Sequence, residues 1–231
     1  MSDQNDTTQE LDVIEETENT DPASDSPSIL DEKQIIVVNN IQSPLDNQEI
    51  FKNITLFGDI EESSASEIIN NLLFLENLAK RRDTADEAEP LAEEDINFYL
   101  STNGGSVSEM FSIIDIMQKV KNSTADICTY GIGKVMSAGV PILAAGTKGK
   151  RKIGKNCRIM LHSVRAGYMG NITSLENELE EIKWNQKRYI ECLSDCSNLT
   201  KKKIKKMFES QKEVYISAEK AIKYGIVDEI I

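Results

Sequence analysis

Apolar runs and helically spaced apolar residues divide the first half of the chain into alternating elements. Runs rich in β-branched and aromatic residues predict strands at 34–38, 54–57 and 96–100. Apolar side chains three and four positions apart predict helices over 64–81 and 106–120. Strands that alternate with helices are typical of α/β units with parallel pairing.

The next part of the chain repeats this scheme. The pattern predicts a turn at 101–105, a strand over 125–131 and a loop that runs through Ser137. It then predicts a helix over about 139–145 and a further strand over 158–162. The repetition extends the α/β prediction through the middle of the chain.

The longest helical pattern covers residues 173–196. Its apolar residues are spaced to form one stripe along the helix, made of Leu175, Leu179, Ile182, Tyr189, Ile190 and Leu193. A short helix then begins after Ser217 as its N-cap and ends at Gly225, and a strand over 226–231 follows.

Charge is concentrated at the start of the chain. Residues 1–50 hold 13 acidic residues and one lysine, which supply almost all of the formal net charge of −13. This composition predicts a disordered acidic tail over 1–45, followed by a single domain over 46–231. A second charged, proline-bearing stretch at 82–95 predicts a surface insertion in that domain.

Composition also limits the function classes. The tail has no basic and apolar regions of a secretory signal, and no apolar run reaches the roughly 20 residues of a membrane span, so we expect a soluble cytoplasmic protein. The basic cluster at 201–206 lacks stacking aromatics and predicts a solvated helix face rather than a nucleic-acid site. We find no P-loop and expect neither a cofactor nor a metal ion.

Ser137 is the first candidate catalytic residue. It is followed by Ala138 and Gly139 at a predicted helix start, where unpaired backbone N–H groups can receive an oxyanion. Pro141 agrees with this position, since proline is tolerated in the first turn of a helix. From the local pattern alone, a plain helix cap is the favoured alternative for this serine.

His162 is the one histidine of the chain and therefore the one histidine available as a base for such a serine. It closes an apolar strand, where a structural role is the alternative. The pair Gly104 and Gly105 lies between a strand and a helix, and glycine lets backbone N–H groups approach a substrate closely. A tight turn is the alternative for this pair.

Four segments together resemble the proteolytic subunit of the Clp protease. They are S-T-N-G-G-S-V at 101–107, I-L-A-A-G-T-K-G-K-R at 142–151, R-I-M-L-H at 158–162 and S-A-E-K-A-I-K-Y-G-I-V-D-E-I-I at 217–231. The resemblance extends over about residues 50–231. It implies the α/β fold of ClpP-like and crotonase-like proteins, a superhelix of stacked ββα units with a protruding handle helix, here preceded by the disordered acidic tail.

The resemblance also implies roles for individual residues. Ser137 would be the nucleophile and His162 the base, with the backbone N–H groups of Gly105 and Ala138 binding the oxyanion. The family has an aspartate four residues before its C-terminal helix, where this chain has Glu213. Glu213 is thus the expected third catalytic residue, and a solvated loop charge is its alternative.

The segment after His162 would form the family's handle, at about 163–197. In the family a glycine-bearing strand there pairs with substrate, which corresponds to Gly167, Tyr168, Met169 and Gly170. The resemblance implies stacked heptameric rings of one subunit type, unfolded polypeptides as substrates and an AAA+ unfoldase as candidate partner. Any ATP dependence would come from that partner.

Two other functions stay open at this point. One is a catalytically silent ring subunit that assembles with active relatives. The other is a related enzyme of the same superfold, either a crotonase-type acyl-CoA enzyme or a maturation or signal-peptide peptidase. The leading prediction is a serine endopeptidase.

Overall fold

The computed structural model describes residues 52–83, 95–209 and 213–231. The predicted strand at 34–38 and the predicted tail lie outside these residues, as does most of the charged insertion. No helix of the described part is long and apolar enough to cross a membrane.

Seven strands and six helices are present in the described residues. In chain order they are β1 (Asn53–Ile60), α1 (Glu62–Asp83), β2 (Ile96–Gly105), α2 (Val107–Lys121), β3 (Ile127–Met136), α3 (Gly139–Ala144), β4 (Arg151–Ile153), β5 (Arg158–Leu161), α4 (Ile172–Asp195), α5 (Lys201–Glu209), β6 (Val214–Ile216), α6 (Ala218–Lys223) and β7 (Glu229–Ile230). The α/β class predicted from the sequence is confirmed.

The strands form one mainly parallel sheet in the order β1-β2-β3-β4-β7. Strand β3 has two successive neighbours on the same edge. Its residues Thr129–Gly131 pair with β4, and Lys134–Met136 pair with β5. Strand β6 then pairs with β5 in the antiparallel direction. The sheet therefore divides along β3, and β5 and β6 form a short branch.

The core lies between this sheet and the helices. Strand β2 contributes the fully buried Ile96, Phe98 and Leu100. Helix α2 buries a face made of Met110, Ile113, Met117 and Val120, which is the spacing the sequence predicted. Ser106 caps α2 by accepting a hydrogen bond from the Glu109 N–H.

Two predicted connections are strands in the structure. The turn predicted at 101–105 is the end of β2, where Gly104 and Gly105 pair with Asp59 and Ile60 of β1. The loop predicted up to Ser137 is the end of β3, which pairs with β5. Glycines and a lysine interrupt the apolar pattern there, but neighbouring strands satisfy the backbone and keep it extended.

The C-terminal strand is shorter than predicted, since only Glu229–Ile230 pair with β4. The preceding Ile226 and Val227 are buried without belonging to a strand. Strands β4 and β6 were not predicted, because three residues are too few to show a period.

Arg151 holds several elements together at the end of the sheet. Its side chain is 4% exposed, and its Nε and Nη2 donate to the two Asp228 carboxylate oxygens at 2.8 and 2.6 Å. Its Nη1 donates to the carbonyls of Ala144 (3.2 Å) and Cys196 (2.5 Å). Since Ala144 ends α3 and Cys196 caps α4, this guanidinium binds the C-terminal ends of both helices.

Helices α1 and α2 are joined by a buried carboxylate. Glu76 is 2% exposed and accepts hydrogen bonds from Lys119, from Lys80 (2.7 Å) and from the Ser123 hydroxyl (2.8 Å). The Lys119 ammonium, with Lys80 and Ser123, lowers the pKa of Glu76 to about 2. The network therefore favours the ionised, folded state.

We predict that Glu76→Gln destabilises the chain at pH 7 by about 1–3 kcal/mol, because the half-exposed ammonium groups of Lys80 and Lys119 lose an ionised acceptor at this buried position. A lowered pKa stabilises the fold above the ordinary value of 4.5 and loses this effect as the pH falls towards 2. The difference in free energy of unfolding between wild type and Glu76→Gln should therefore become smaller below pH 4.5. Urea unfolding at pH 7, 5 and 3.5 measures this free energy, and Glu67→Gln, an exposed position on the same helix, is the control. Equal stability of Glu76→Gln and wild type at pH 7 contradicts this account.

Candidate active site

The three candidate catalytic residues lie at the ends of three adjacent strands. Ser137 follows β3, His162 follows β5 and Glu213 precedes β6. Strand β3 pairs with β5 up to Met136, and the Ser137 N–H continues the ladder by donating to the Met160 carbonyl at 2.8 Å. Because β6 is antiparallel to β5, its start lies at the same end of the branch. The sheet thus brings together residues that are far apart in sequence.

The pairing register specifies how these positions are related. Met136 pairs with Met160, so continuation of the parallel ladder sets Ser137 beside Leu161, one residue before His162. Leu161 pairs with Val214 in the antiparallel ladder, and its continuation sets His162 opposite Glu213. Backbone geometry alone therefore creates a row in the order serine, histidine, glutamate.

Ser137 has an unusual backbone. Its φ of 52° is the one positive φ at a non-glycine residue among those the structure describes. Such a conformation costs on the order of 1–3 kcal/mol and persists where the surroundings hold it. The Ser137 carbonyl accepts hydrogen bonds from the Val140 N–H (3.0 Å) and the Tyr189 hydroxyl (2.9 Å). The sharp turn from β3 into α3 leaves the serine side chain partly exposed.

Gly104 packs directly against this turn. A Cβ atom built on Gly104 would lie 2.6 Å from the Ser137 Cβ and 2.8 Å from the Met136 carbonyl oxygen, and its φ is +98°. Only glycine is compatible with that contact and that backbone. The next peptide carries the Gly105 N–H, so one candidate oxyanion donor comes from the strand end that contacts Ser137.

The second candidate donor is the N–H of Ala138. Ala138 is the N-cap of α3, and no other described residue accepts a hydrogen bond from its N–H. A backbone N–H at a helix start has no partner within the helix and is free to bind an anionic oxygen. The site therefore has two candidate oxyanion donors, one at the end of β2 and one at the start of α3.

His162 is partly buried, and its ring is oriented by the chain itself. Its Nδ1 lies 2.5 Å from the Ser163 carbonyl oxygen. A carbonyl only accepts, so Nδ1 carries the proton and the neutral ring keeps its lone pair on Nε2. This is the tautomer that a general base requires. His162 makes no hydrogen bond to Ser137 or Glu213, all three being described residues.

Glu213 is exposed, and its carboxylate has other partners. The Arg165 guanidinium lies 3.4 Å from Oε1, and the Tyr215 hydroxyl donates to Oε2 at 3.0 Å. Glu213 and His162 therefore each lie one residue beyond the β5–β6 ladder, while the Glu213 side chain is bound elsewhere.

The segment between His162 and α4 is open to solvent. Gly167, Tyr168, Met169 and Gly170 are all exposed, and Met169 is 95% exposed. None of these described residues belongs to a strand. The Tyr168 ring packs over Gly170, where an added Cβ would lie 2.6 Å from the ring. The backbone of this segment pairs with no strand in the part of the chain that the structure describes.

Helix α4 is the longest helix among the described residues, and it starts one residue earlier than predicted, after Asn171 as N-cap. Its C-terminal part is buried through Tyr189, Ile190 and Leu193. Its N-terminal part exposes a row of apolar side chains, namely Ile172, Leu175 and Leu179. The predicted apolar stripe is therefore buried at one end of the helix only.

Sequence reasoning missed three residues around the site. Arg165 and Tyr215 were not predicted as partners of Glu213. Tyr189 was assigned to the apolar stripe of α4, without a role for its hydroxyl. A tyrosine within an otherwise aliphatic stripe is the signal available in the sequence, because a buried tyrosine hydroxyl needs a hydrogen-bond partner.

These groups are suited to acyl transfer. A partly exposed hydroxyl, an imidazole whose Nε2 can accept a proton and two candidate backbone donors lie at the neighbouring ends of β2, β3 and β5. A family model described as Clp protease matches residues 32–231, which include all of these groups and most of the chain. The mixed α/β architecture with a mainly parallel sheet is compatible with that family. The chain therefore belongs to the Clp protease family.

Proposed function

We propose that this chain is a serine endopeptidase subunit that hydrolyses peptide bonds of unfolded polypeptides. Membership of the Clp protease family implies a peptidase. The single observation that carries the serine mechanism is the β3–β5 register, which sets Ser137 and His162 at adjacent strand ends. The positive φ of Ser137 supports it, because this conformation turns the serine out of the sheet.

In the proposed reaction the Ser137 Oγ attacks the scissile carbonyl carbon while His162 Nε2 accepts the hydroxyl proton. The resulting oxyanion accepts hydrogen bonds from the N–H groups of Gly105 and Ala138. His162 then returns the proton to the leaving amine, and an acyl-serine remains. Water attacks this ester in the second half of the cycle, again with His162 as base.

We assign the third catalytic role to Glu213. Continuation of the antiparallel ladder by one residue sets it opposite His162, and its ion pair with Arg165 is weak. The ion pair with Arg165 is solvent-exposed and 3.4 Å long, and such pairs contribute about 0–1 kcal/mol. Transfer of the carboxylate from Arg165 to the Nδ1 of His162 would replace the Ser163 carbonyl with a charged acceptor and stabilise the imidazolium.

Substrate capture is assigned to the segment 167–170. Its unpaired, exposed backbone can add a peptide strand through main-chain hydrogen bonds, which do not depend on the side chains of the substrate. Broad cleavage of unfolded chains follows from this mode of recognition.

We further propose that residues 163–197 form a handle through which subunits assemble into stacked heptameric rings. The exposed apolar row on α4 supports this, since Ile172 is 75% exposed and Leu175 and Leu179 continue its face. An apolar helix face that no described residue covers indicates an interaction surface. The ring would enclose the active sites, and an AAA+ unfoldase would supply substrates and any ATP dependence.

The proposed location is the cytoplasm. All four cysteines are free thiols, although Cys192 and Cys196 lie only one helical turn apart. Unpaired cysteines are typical of a reducing compartment.

A catalytically silent ring subunit is the second candidate. The observation that favours it is the binding of Glu213 to Arg165 and Tyr215 rather than to His162. The positive φ of Ser137 and the tautomer of His162 favour the active enzyme, because a silent subunit has no need of either.

We predict that Ser137→Ala and His162→Ala each lower kcat for a fluorogenic peptide by about 10³-fold or more, since each removes one half of the nucleophile–base pair. Steady-state hydrolysis by the purified full chain measures this. The control is Ser108→Ala, on the exposed side of α2, which should keep wild-type activity. Comparable activity of Ser137→Ala and the wild type would exclude the proposed mechanism.

We predict that Glu213→Gln lowers kcat by about 10²-fold or more, because a neutral amide does not stabilise the imidazolium. The matched variant is Arg165→Met, which removes the competing partner and should keep or raise kcat. Both values come from the same peptide assay. If Glu213→Gln keeps wild-type kcat, the enzyme works with serine and histidine alone and the assignment of Glu213 is wrong.

We predict that the double variant Leu175→Glu, Leu179→Glu forms smaller particles than the wild type, because charged side chains oppose burial of the α4 face. Native mass spectrometry gives the subunit number of each. Glu180→Gln, an exposed neighbour on the same helix, is the control and should assemble normally. Identical particle sizes for the double variant and the wild type would remove α4 from the proposed interface.

A further inference from the structure

Tyr189 connects the buried end of α4 to the backbone of the proposed nucleophile. Its side chain is 2% exposed, and its hydroxyl lies 2.9 Å from the Ser137 carbonyl oxygen. Its ring packs at a tilt against the Phe208 ring of α5, with 5.7 Å between the centroids. Tyr189 and Ser137 are 52 positions apart in sequence, so the hydrogen bond between them is a tertiary contact.

The hydroxyl acts as a permanent donor. Burial raises the pKa of Tyr189 far above its ordinary value, so the phenol stays protonated throughout the working pH range. The Ser137 carbonyl has no hydrogen to give, so the direction of the bond is fixed.

The hydrogen bond from Tyr189 is accepted by the peptide group that also carries the candidate oxyanion donor of Ala138. The Ser137 carbonyl and the Ala138 N–H are the two ends of one planar peptide, and they point in opposite directions. A donor that holds the carbonyl oxygen therefore also sets the direction of the Ala138 N–H. Hydrogen bonding to the oxygen polarises the same peptide and strengthens its N–H as a donor.

The same peptide follows the strained backbone of Ser137. At φ 52° the serine needs tertiary contacts to keep its conformation. The Val140 N–H supplies one bond to the Ser137 carbonyl from within the turn, and Tyr189 supplies the second from another element. Without the second bond, the peptide has more freedom to rotate about its neighbouring dihedrals.

We propose that Tyr189 is a positioning residue that orients the Ser137–Ala138 peptide, and with it the oxyanion donor of Ala138, from helix α4. The inference rests on the proposed serine mechanism. It adds a physical connection between α4, whose exposed N-terminal half is the proposed assembly surface, and the reacting atoms.

Tyr189→Phe tests the proposal, because it removes the hydroxyl and keeps the packing of the ring. We expect kcat to fall about tenfold with KM nearly unchanged, less than the loss of about 10²–10³-fold on removal of an oxyanion donor itself. A peptide aldehyde with the substrate sequence should bind Tyr189→Phe more weakly by a similar factor. The aldehyde forms a tetrahedral adduct when the Ser137 Oγ bonds to its carbon, and that adduct carries the oxyanion.

Tyr130→Phe is the matched control. Its hydroxyl also makes one hydrogen bond, to Asn97 Oδ1 at 3.2 Å, but at a distance from the site in the sheet. It should change thermal stability without changing kcat or aldehyde binding. A purely structural effect of Tyr189 would appear as lower stability with unchanged kcat and aldehyde binding.

The outcomes distinguish a failure of the positioning role of Tyr189 from a failure of the proposed serine mechanism. If wild type hydrolyses the peptide and Tyr189→Phe matches it in kcat and aldehyde affinity, the positioning role is overturned while the serine mechanism stands. Equal losses of kcat in Tyr189→Phe and Tyr130→Phe overturn it as well. If the wild type is inert, or Ser137→Ala remains active, the proposed function fails and the role of Tyr189 fails with it.

Discussion

The change of partner along β3 is the constraint on which the site depends. The first half of this strand pairs with β4, and its last three residues pair with β5. Gly133, with a φ of +65°, lies between the two halves, where an L side chain is disfavoured. The divergence opens the sheet and allows β5 to enter beside the end of β3. Ser137 and His162 become neighbours for this reason, since no other described strand connects them.

Close packing then fixes the serine turn from three sides. Gly104 approaches so closely that any side chain there would overlap the Ser137 Cβ, and Gly139 of α3 packs against the Thr102 side chain. Tyr189 reaches the same turn from α4. These contacts explain how a non-glycine residue keeps a positive φ, and they join the strained residue to β2, α3 and α4 together. In the proposed mechanism this rigidity serves to hold backbone donors in place before the substrate arrives.

The sequence predicted the helices better than the strands, for a physical reason. Helices α1, α2 and α4 carry their own apolar period, and α2, α4 and α6 begin at a side-chain N-cap, so their local sequence contains the signal. Glycines at the ends of β2 and β3 predict a turn and a loop, but tertiary pairing keeps both segments extended. Three-residue strands such as β4 carry no period at all.

The candidate site, like the fold, was only partly predictable from the sequence. The order of Ser137 and His162 and the glycine pair were available from the resemblance to the family. The contacts of Tyr189 with Ser137 and of Arg165 with Glu213 join residues 52 and 48 positions apart, and such contacts leave no pattern in a single sequence. The side-chain partner of Glu213 likewise depends on the exposed segment after His162 rather than on local spacing.

The central claim is that Ser137 is the nucleophile and that His162 activates it. The most direct measurement is to treat the purified full chain with a fluorophosphonate, digest it and locate the phosphonyl group by tandem mass spectrometry. The account predicts one adduct, on Ser137, that is formed by the wild type and lost in His162→Ala. An adduct on another serine, or none while the same sample hydrolyses peptide, would contradict it.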